Sequence, residues 1–172
     1  PAVVAVPHRR KAHAVAGTEK GIGLDAPVEV HRPFCRVAGV VEAAINFEVW
    51  MPLENWNGRF QGLGLGAFWG KLPYRAMGQS LDKGYAVGGT DTGHQSEWDD
   101  GTWAMSDGKL NKSVVEDWAH RGIHEMTVKS QAIVAELYGT PAQYSYFTGC
   151  SSGGFQAMTE AQRYPAGYHR IL

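Results

Sequence analysis

Apolar positions along this chain follow two rhythms. Between residues 35 and 90 they come as short runs rich in β-branched and aromatic residues, separated by glycine, proline and asparagine. Cys35–Val41 and Ile45–Met51 predict two strands, joined through Glu42-Ala43-Ala44 as a short hairpin. Pro52–Gly58 is a turn-rich loop, and Arg59–Leu65 predicts a strand running into a glycine loop, Gly66–Gly70. Tyr74–Lys83 reads as a short helix. Tyr85–Thr90 reads as the next buried strand, followed by Asp91-Thr92-Gly93-His94.

Past residue 112 the rhythm changes. Val115, Ala119, Gly122, Met126, Ser130, Ile133 and Leu137 recur at helical spacing, one face of a helix of about six or seven turns. Ser113 is placed to cap it, with Glu116 at capping-box spacing. Gly122 is placed to kink it, and Gly139-Thr140-Pro141 to end it. The polar stretch 95–112, with Trp98 and Trp103, reads as a long loop. Tyr144–Thr148 predicts a short strand, Phe155–Arg163 a helix stopped by Tyr164-Pro165, and Tyr168–Leu172 the start of one more strand. Residues 1–30 are weakly patterned, with basic residues at Arg9, Arg10 and Lys11, and read as the edge of a domain.

Strands alternating with helices imply right-handed crossovers. The expected class is therefore α/β, a mainly parallel sheet with helices on both faces and an antiparallel hairpin at one edge. Ligands of such sheets bind beyond the carboxyl ends of the strands. The glycine clusters at 58–70, 84–93 and 149–154 fall at strand ends.

Length and composition narrow the function classes. The chain has 172 residues, of which 44% are hydrophobic and 19% charged, consistent with one domain and a real core. A net charge of -1 gives no basis for binding nucleic acid or an anionic membrane. No run approaches the ~18 apolar residues of a membrane span. The chain opens on Pro1 and stops at Ile171-Leu172, so both ends read as cut, and a missing leader carries no information. Composition alone reads Cys35 and Cys150 as two buried thiols.

The stretch Thr148-Gly149-Cys150-Ser151-Ser152-Gly153-Gly154 carries the chemistry. It holds G-x-S-x-G in one register, with Gly149 and Gly153 flanking Ser151. A strand before it and a helix after it make the setting of a nucleophile elbow, in which a strained turn lifts the serine clear of the sheet. The Ser152 N–H then points at a developing oxyanion from the helix N-terminus. A second donor is expected from the loop after an earlier strand, with Gly66 the first choice and Ala67 the next. The bland alternatives are an ordinary glycine turn at Ser151 and a tight turn at Gly66.

A base is harder to find. The chain order expected after such a serine is an acid and then a histidine, but Glu160 and His169 follow Ser151 too closely to reach it. His94 follows a strand end, where it either lines the pocket or braces the loop. His120 and His124 read as structural residues of the long helix. The acid and base are therefore expected outside these residues.

Combinations of stretches from about residue 33 onward resemble the tannase and feruloyl esterase family of α/β-hydrolases. They are Phe34-Cys35-Arg36-Val37, Trp56-Asn57-Gly58-Arg59-Phe60, Gly64–Gly70, Gly84–Val87 with Asp91–His94, Arg121–Glu125, Tyr144–Gly154 and Glu160–Pro165. The chain departs from the family at Pro165–Arg170, where an Asp-rich stretch is usual, and in the glycine loop Gly64-Leu65-Gly66-Ala67, where the family favours an Asn and a Gly pair.

The resemblance implies Ser151 as nucleophile and a disulfide from Cys150 to a cysteine beside the catalytic histidine. It implies that the acid, the histidine, that cysteine and a lid, often with a structural calcium, all follow residue 172. Residues 1–172 would then be a partial catalytic domain. The implied activity is a serine carboxylic-ester hydrolase acting on esters of hydroxylated aromatic acids, such as gallate or ferulate esters, with no cofactor for catalysis. The implied location is secreted or periplasmic. The alternatives are other aromatic esters on the same fold, or an inactive truncated fragment.

Overall fold

The computed structural model describes residues 4–8, 13–15, 28–42 and 44–172. Its elements in chain order are β1 (Val4–His8), β2 (His13–Val15), β3 (Val28–Val30), β4 (Phe34–Val41), β5 (Ile45–Pro52), β6 (Arg59–Leu63), α1 (Tyr74–Asp82), β7 (Ala86–Thr90), β8 (Met105–Ser106), β9 (Lys109–Leu110), α2 (Lys112–Glu116), α3 (Gly122–Tyr138), β10 (Tyr144–Thr148), α4 (Ser152–Arg163) and β11 (Arg170–Ile171). Arg9, Arg10, Lys11 and Ala43 lie outside the described residues.

One sheet runs in the order β1-β4-β5-β7-β6-β10-β11. The strands β7, β6, β10 and β11 are parallel, and β5, β4 and β1 continue the sheet antiparallel. Every residue of β7 is buried because helices cover both its faces. A Cβ on Gly88 would stand 2.7 Å from Met126 Sδ of α3, and one on Gly89 would stand 2.9 Å from Met77 Sδ of α1. Glycine at these two places lets both helices close on the sheet.

Two apolar layers result. On one face Val37, Phe47, Val49, Met51, Phe60 and Phe147 pack with Ile123, Met126 and Val134 of α3 and Ala157 of α4. On the other, Phe34, Trp50, Leu63 and Val87 pack with Met77 and Leu81 of α1 and with Val28 and Val30. The helices that follow β6 and β10 thus lie on opposite faces. That makes the gap between the carboxyl ends of β6 and β10 the switch point where such sheets open a crevice.

The expected α/β class is the observed one, and several local expectations change. Within the expected 95–112 loop a small hairpin, β8–β9, turns at Asp107-Gly108, where both φ angles are positive (51° and 73°). No capping box forms at Ser113. The helix starts at Lys112 after Asn111 with no side-chain cap, and the Ser113 hydroxyl donates to Asn111 Oδ1 instead. Gly122 does not kink its helix, since its own backbone is regular (φ -60°, ψ -45°). The irregularity is the π-helical turn Asp117–Arg121 just before it, and Gly122 is needed because a Cβ there would stand 2.8 Å from Thr92 Cα. The buried face of α3 is Gly122, Ile123, Met126, Thr127, Ser130 and Val134, while Leu137 is exposed. The elbow helix starts at Ser152, earlier than Phe155, and the last strand is only Arg170–Ile171.

Candidate active site at the β10–α4 turn

Ser151 sits between β10 and α4 with φ 57° and ψ -120° and an exposed side chain. A non-glycine residue held there carries strain of about 1–3 kcal/mol, which the surroundings must impose. They do so through glycine contacts. A Cβ on Gly64 would stand 2.8 Å from Gly153 Cα, and one on Gly149 would stand 2.9 Å from the same atom. Strand end, helix start and glycine loop therefore meet backbone to backbone. The Gly64 N–H donates to the Thr148 carbonyl at 2.9 Å, and the Gly153 N–H to the Cys150 carbonyl at 2.9 Å. As the first residue of α4, Ser152 offers an N–H with no acceptor inside the helix.

The glycine loop faces this turn. Its other N–H groups are engaged: Leu65 donates to Gln156 Oε1 (2.9 Å), Phe68 to Trp98 O (3.0 Å), Trp69 to Gly66 O (3.1 Å) and Gly70 to Ser96 O (3.2 Å). Among the described residues the N–H groups of Gly66 and Ala67 donate to no protein acceptor. A Cβ on Gly66 would meet nothing within 4 Å, whereas Ala67 takes a positive φ of 46°. Ser151, Ser152 and Gly66 are thus brought to the same edge of the sheet, at its switch point.

His94 does not line an open pocket. It is buried, its Nε2 lies 3.0 Å from the Phe68 carbonyl, and its ring stacks on Trp103 at 4.0 Å between centroids. Ser96 Oγ donates to the same carbonyl. The pair fixes the far end of the glycine loop. The turn carrying His94 is in turn held by buried Asp91, which accepts from Asn46 N–H, Asn46 Nδ2, Gly93 N–H and Gln95 Nε2. Burial pushes the Asp91 carboxyl above its ordinary range despite those donors.

The other described histidine rings stand away from Ser151. His31 pairs with Asp82, and His169 Nδ1 accepts from the Ser145 N–H at the opposite end of β10. His124 stacks on Tyr164, and its Nδ1 is 3.6 Å from Glu160 Oε2. His120 Nδ1 is 3.4 Å from the Tyr164 hydroxyl. Glu160 is buried in α4 with neither oxygen hydrogen-bonded, and desolvation pushes its carboxyl up to about 7.

Cys150 is exposed and free, and Cys35 is buried and free, where burial pushes its thiol up. Composition placed both thiols inside, but Cys150 shares the exposed turn with Ser151. Among the described residues no group of three or more His, Cys, Asp and Glu is placed to hold a metal ion. No helix of the described residues is long and apolar enough to cross a membrane. A cavity of about 380 Å³ opens on the α1 side of the glycine loop, lined by Gly64, Leu65, Gly66, Trp69, Arg75 and Gln79 among others.

Sequence reading missed Gln156. Its Oε1 accepts from the buried Leu65 N–H and so ties the glycine loop to α4. A lone glutamine five places after the serine gives no inward signal.

The model of the family described as tannase and feruloyl esterase matches residues 28–172. A probable feruloyl esterase of Arthroderma benhamiae is 43% identical over 129 residues, covering 72% of this chain and 24% of that protein. An uncharacterized esterase of Xanthomonas campestris pv. campestris is 34% identical over 143 residues, covering 81% of this chain and 24% of its own length. The crystal structure of feruloyl esterase B from Aspergillus oryzae superposes with a TM-score of 0.80 at 27% identity, covering 99% of this chain and 33% of that one. The chain therefore spans about a quarter to a third of the length of these three relatives.

Proposed function

The chain belongs to the tannase and feruloyl esterase family, and from that premise we propose that it carries the nucleophile of a serine carboxylic-ester hydrolase acting on esters of hydroxylated aromatic acids. The observation that carries this reading is the backbone of Ser151, strained at φ 57° and ψ -120° with its side chain exposed at the start of α4. Strain held by backbone contact on three sides is expected where a nucleophile must be presented.

In this mechanism Ser151 Oγ adds to the ester carbonyl carbon as its proton passes to a histidine. The oxyanion accepts from the Ser152 and Gly66 N–H groups. The carbon–oxygen bond to the alcohol breaks, the alcohol leaves with that proton, and water cleaves the acyl-serine. None of the histidine side chains described among these residues stands at Ser151, which supports a base supplied from outside residues 1–172, together with a cysteine to pair with Cys150. Residues 1–172 alone would then turn over esters only at a trace rate. A secreted or periplasmic setting fits such a disulfide.

The test is Ser151→Ala in the protein expressed from its complete reading frame, assayed on methyl ferulate and methyl gallate. Turnover should fall on the order of 10³-fold or more with stability retained. Undiminished turnover in that variant would overturn the reading.

A further inference from the structure

An aromatic row crosses the edge of the sheet beside Ser151. Phe68 comes from the glycine loop, Trp103 from the loop after β7, Trp118 from the π-helical turn and Phe155 from α4. Ring centroids are 5.8 Å apart for Phe68–Trp118, Trp103–Trp118 and Trp118–Phe155. Those distances are ordinary for interacting rings. The row stops short at both ends, since Phe68 is 43% and Phe155 47% exposed.

Its exposed ends lie on the two elements that carry the reacting groups. Phe68 is two residues past Gly66. The Phe155 N–H donates to the Ser151 carbonyl at 3.1 Å, one helical turn away. Side chains on a helix lean back toward its N-terminus, the end at which Ser151 precedes Phe155. Along the helix axis the two residues are about one pitch apart, ~5.4 Å.

We propose that this row is the subsite for the aromatic ring of the acyl group, which makes Phe155 and Phe68 specificity-determining residues. The inference rests on the ester-hydrolase reading above. Phe155 and Trp118 lie within 23° of parallel, so a planar ring on the outer face of Phe155 extends an existing stack. An alkyl acyl chain gains apolar contact there without the ring geometry. The row offers an aromatic acid recognition by shape and ring face, independent of its hydroxyl pattern.

The experiment compares methyl ferulate with methyl butyrate, which share their alcohol and differ in the acyl group. The protein is expressed from its complete reading frame, with Phe155→Ala, Phe68→Ala and Phe155→Trp beside wild type. The kcat/KM ratio of ferulate to butyrate should fall roughly 10-fold in each alanine variant, carried mainly by KM, and Phe155→Trp should keep it. A ratio unchanged within about twofold in both alanine variants overturns the subsite. It would mean that polypeptide, not substrate, covers the row. Ser151→Ala assayed alongside separates the two ideas: if it abolishes butyrate turnover while the ratio ignores Phe155 and Phe68, only the subsite fails. If it leaves turnover intact, the ester-hydrolase reading itself fails.

Discussion

The two ends of α4 are built on opposite terms. At its start, Gly149, Gly153 and Gly64 meet backbone to backbone, and Ser151 is held in a conformation it would not choose. Toward its end, Glu160 is buried with neither oxygen hydrogen-bonded, beside a His124 whose own pKa is lowered by burial. The first end is over-determined in geometry, while the second carries an uncompensated polar cost. Position is fixed where chemistry is proposed, and a desolvation penalty is carried away from it.

Breaking the first end should have the larger effect. Gly64→Ala puts a methyl 2.8 Å from Gly153 Cα, a backbone atom that cannot swing aside. We expect destabilisation of roughly 1–3 kcal/mol. Turnover should drop about 10²-fold as Ser151 and the glycine loop separate. Thermal melting and kinetics on the same preparation check both. A variant as stable and active as wild type would show that the close approach does not govern the site.

Sharpening the second end means removing the charge from Glu160. Its carboxyl is held at about 7 against an ordinary 4.5. Between those values the folded chain keeps a proton that the unfolded chain has released, so stability falls as pH rises through the window and stays low above it. His124, whose pKa burial lowers, acts in the opposite sense, its contribution to stability rising with pH up to its ordinary 6.5. Tyr168, buried and facing the same carboxylate, stays neutral throughout. Glu160→Gln should therefore flatten the falling limb and raise stability above pH 7 by about 2 kcal/mol. Denaturant titrations across that range read it directly, and an unchanged slope would assign the pH dependence elsewhere.

Much of the first end was legible in the sequence, because G-x-S-x-G between a strand and a helix is a local pattern with a local cause. Strand and helix types followed from apolar rhythm for the same reason. The start of α4 was not, since Ser152-Gly153-Gly154 has poor helix propensity and is helical only because tertiary contact demands glycine. The β8–β9 hairpin carried its signal in Asp107-Gly108, but flanking strands of two residues are too short to show alternation. Gln156, the Glu160–His124 pair and the aromatic row join residues from separate segments. Nothing in a linear pattern says which polar helix positions turn inward.

The central claim is that Ser151, and no neighbour, is the nucleophile. Labelling the protein expressed from its complete reading frame with a fluorophosphonate, followed by peptide mass mapping, tests this most directly. The account predicts one adduct, on Ser151, lost in Ser151→Ala. An adduct on Ser152 or Cys150 with Ser151 unmodified would contradict it.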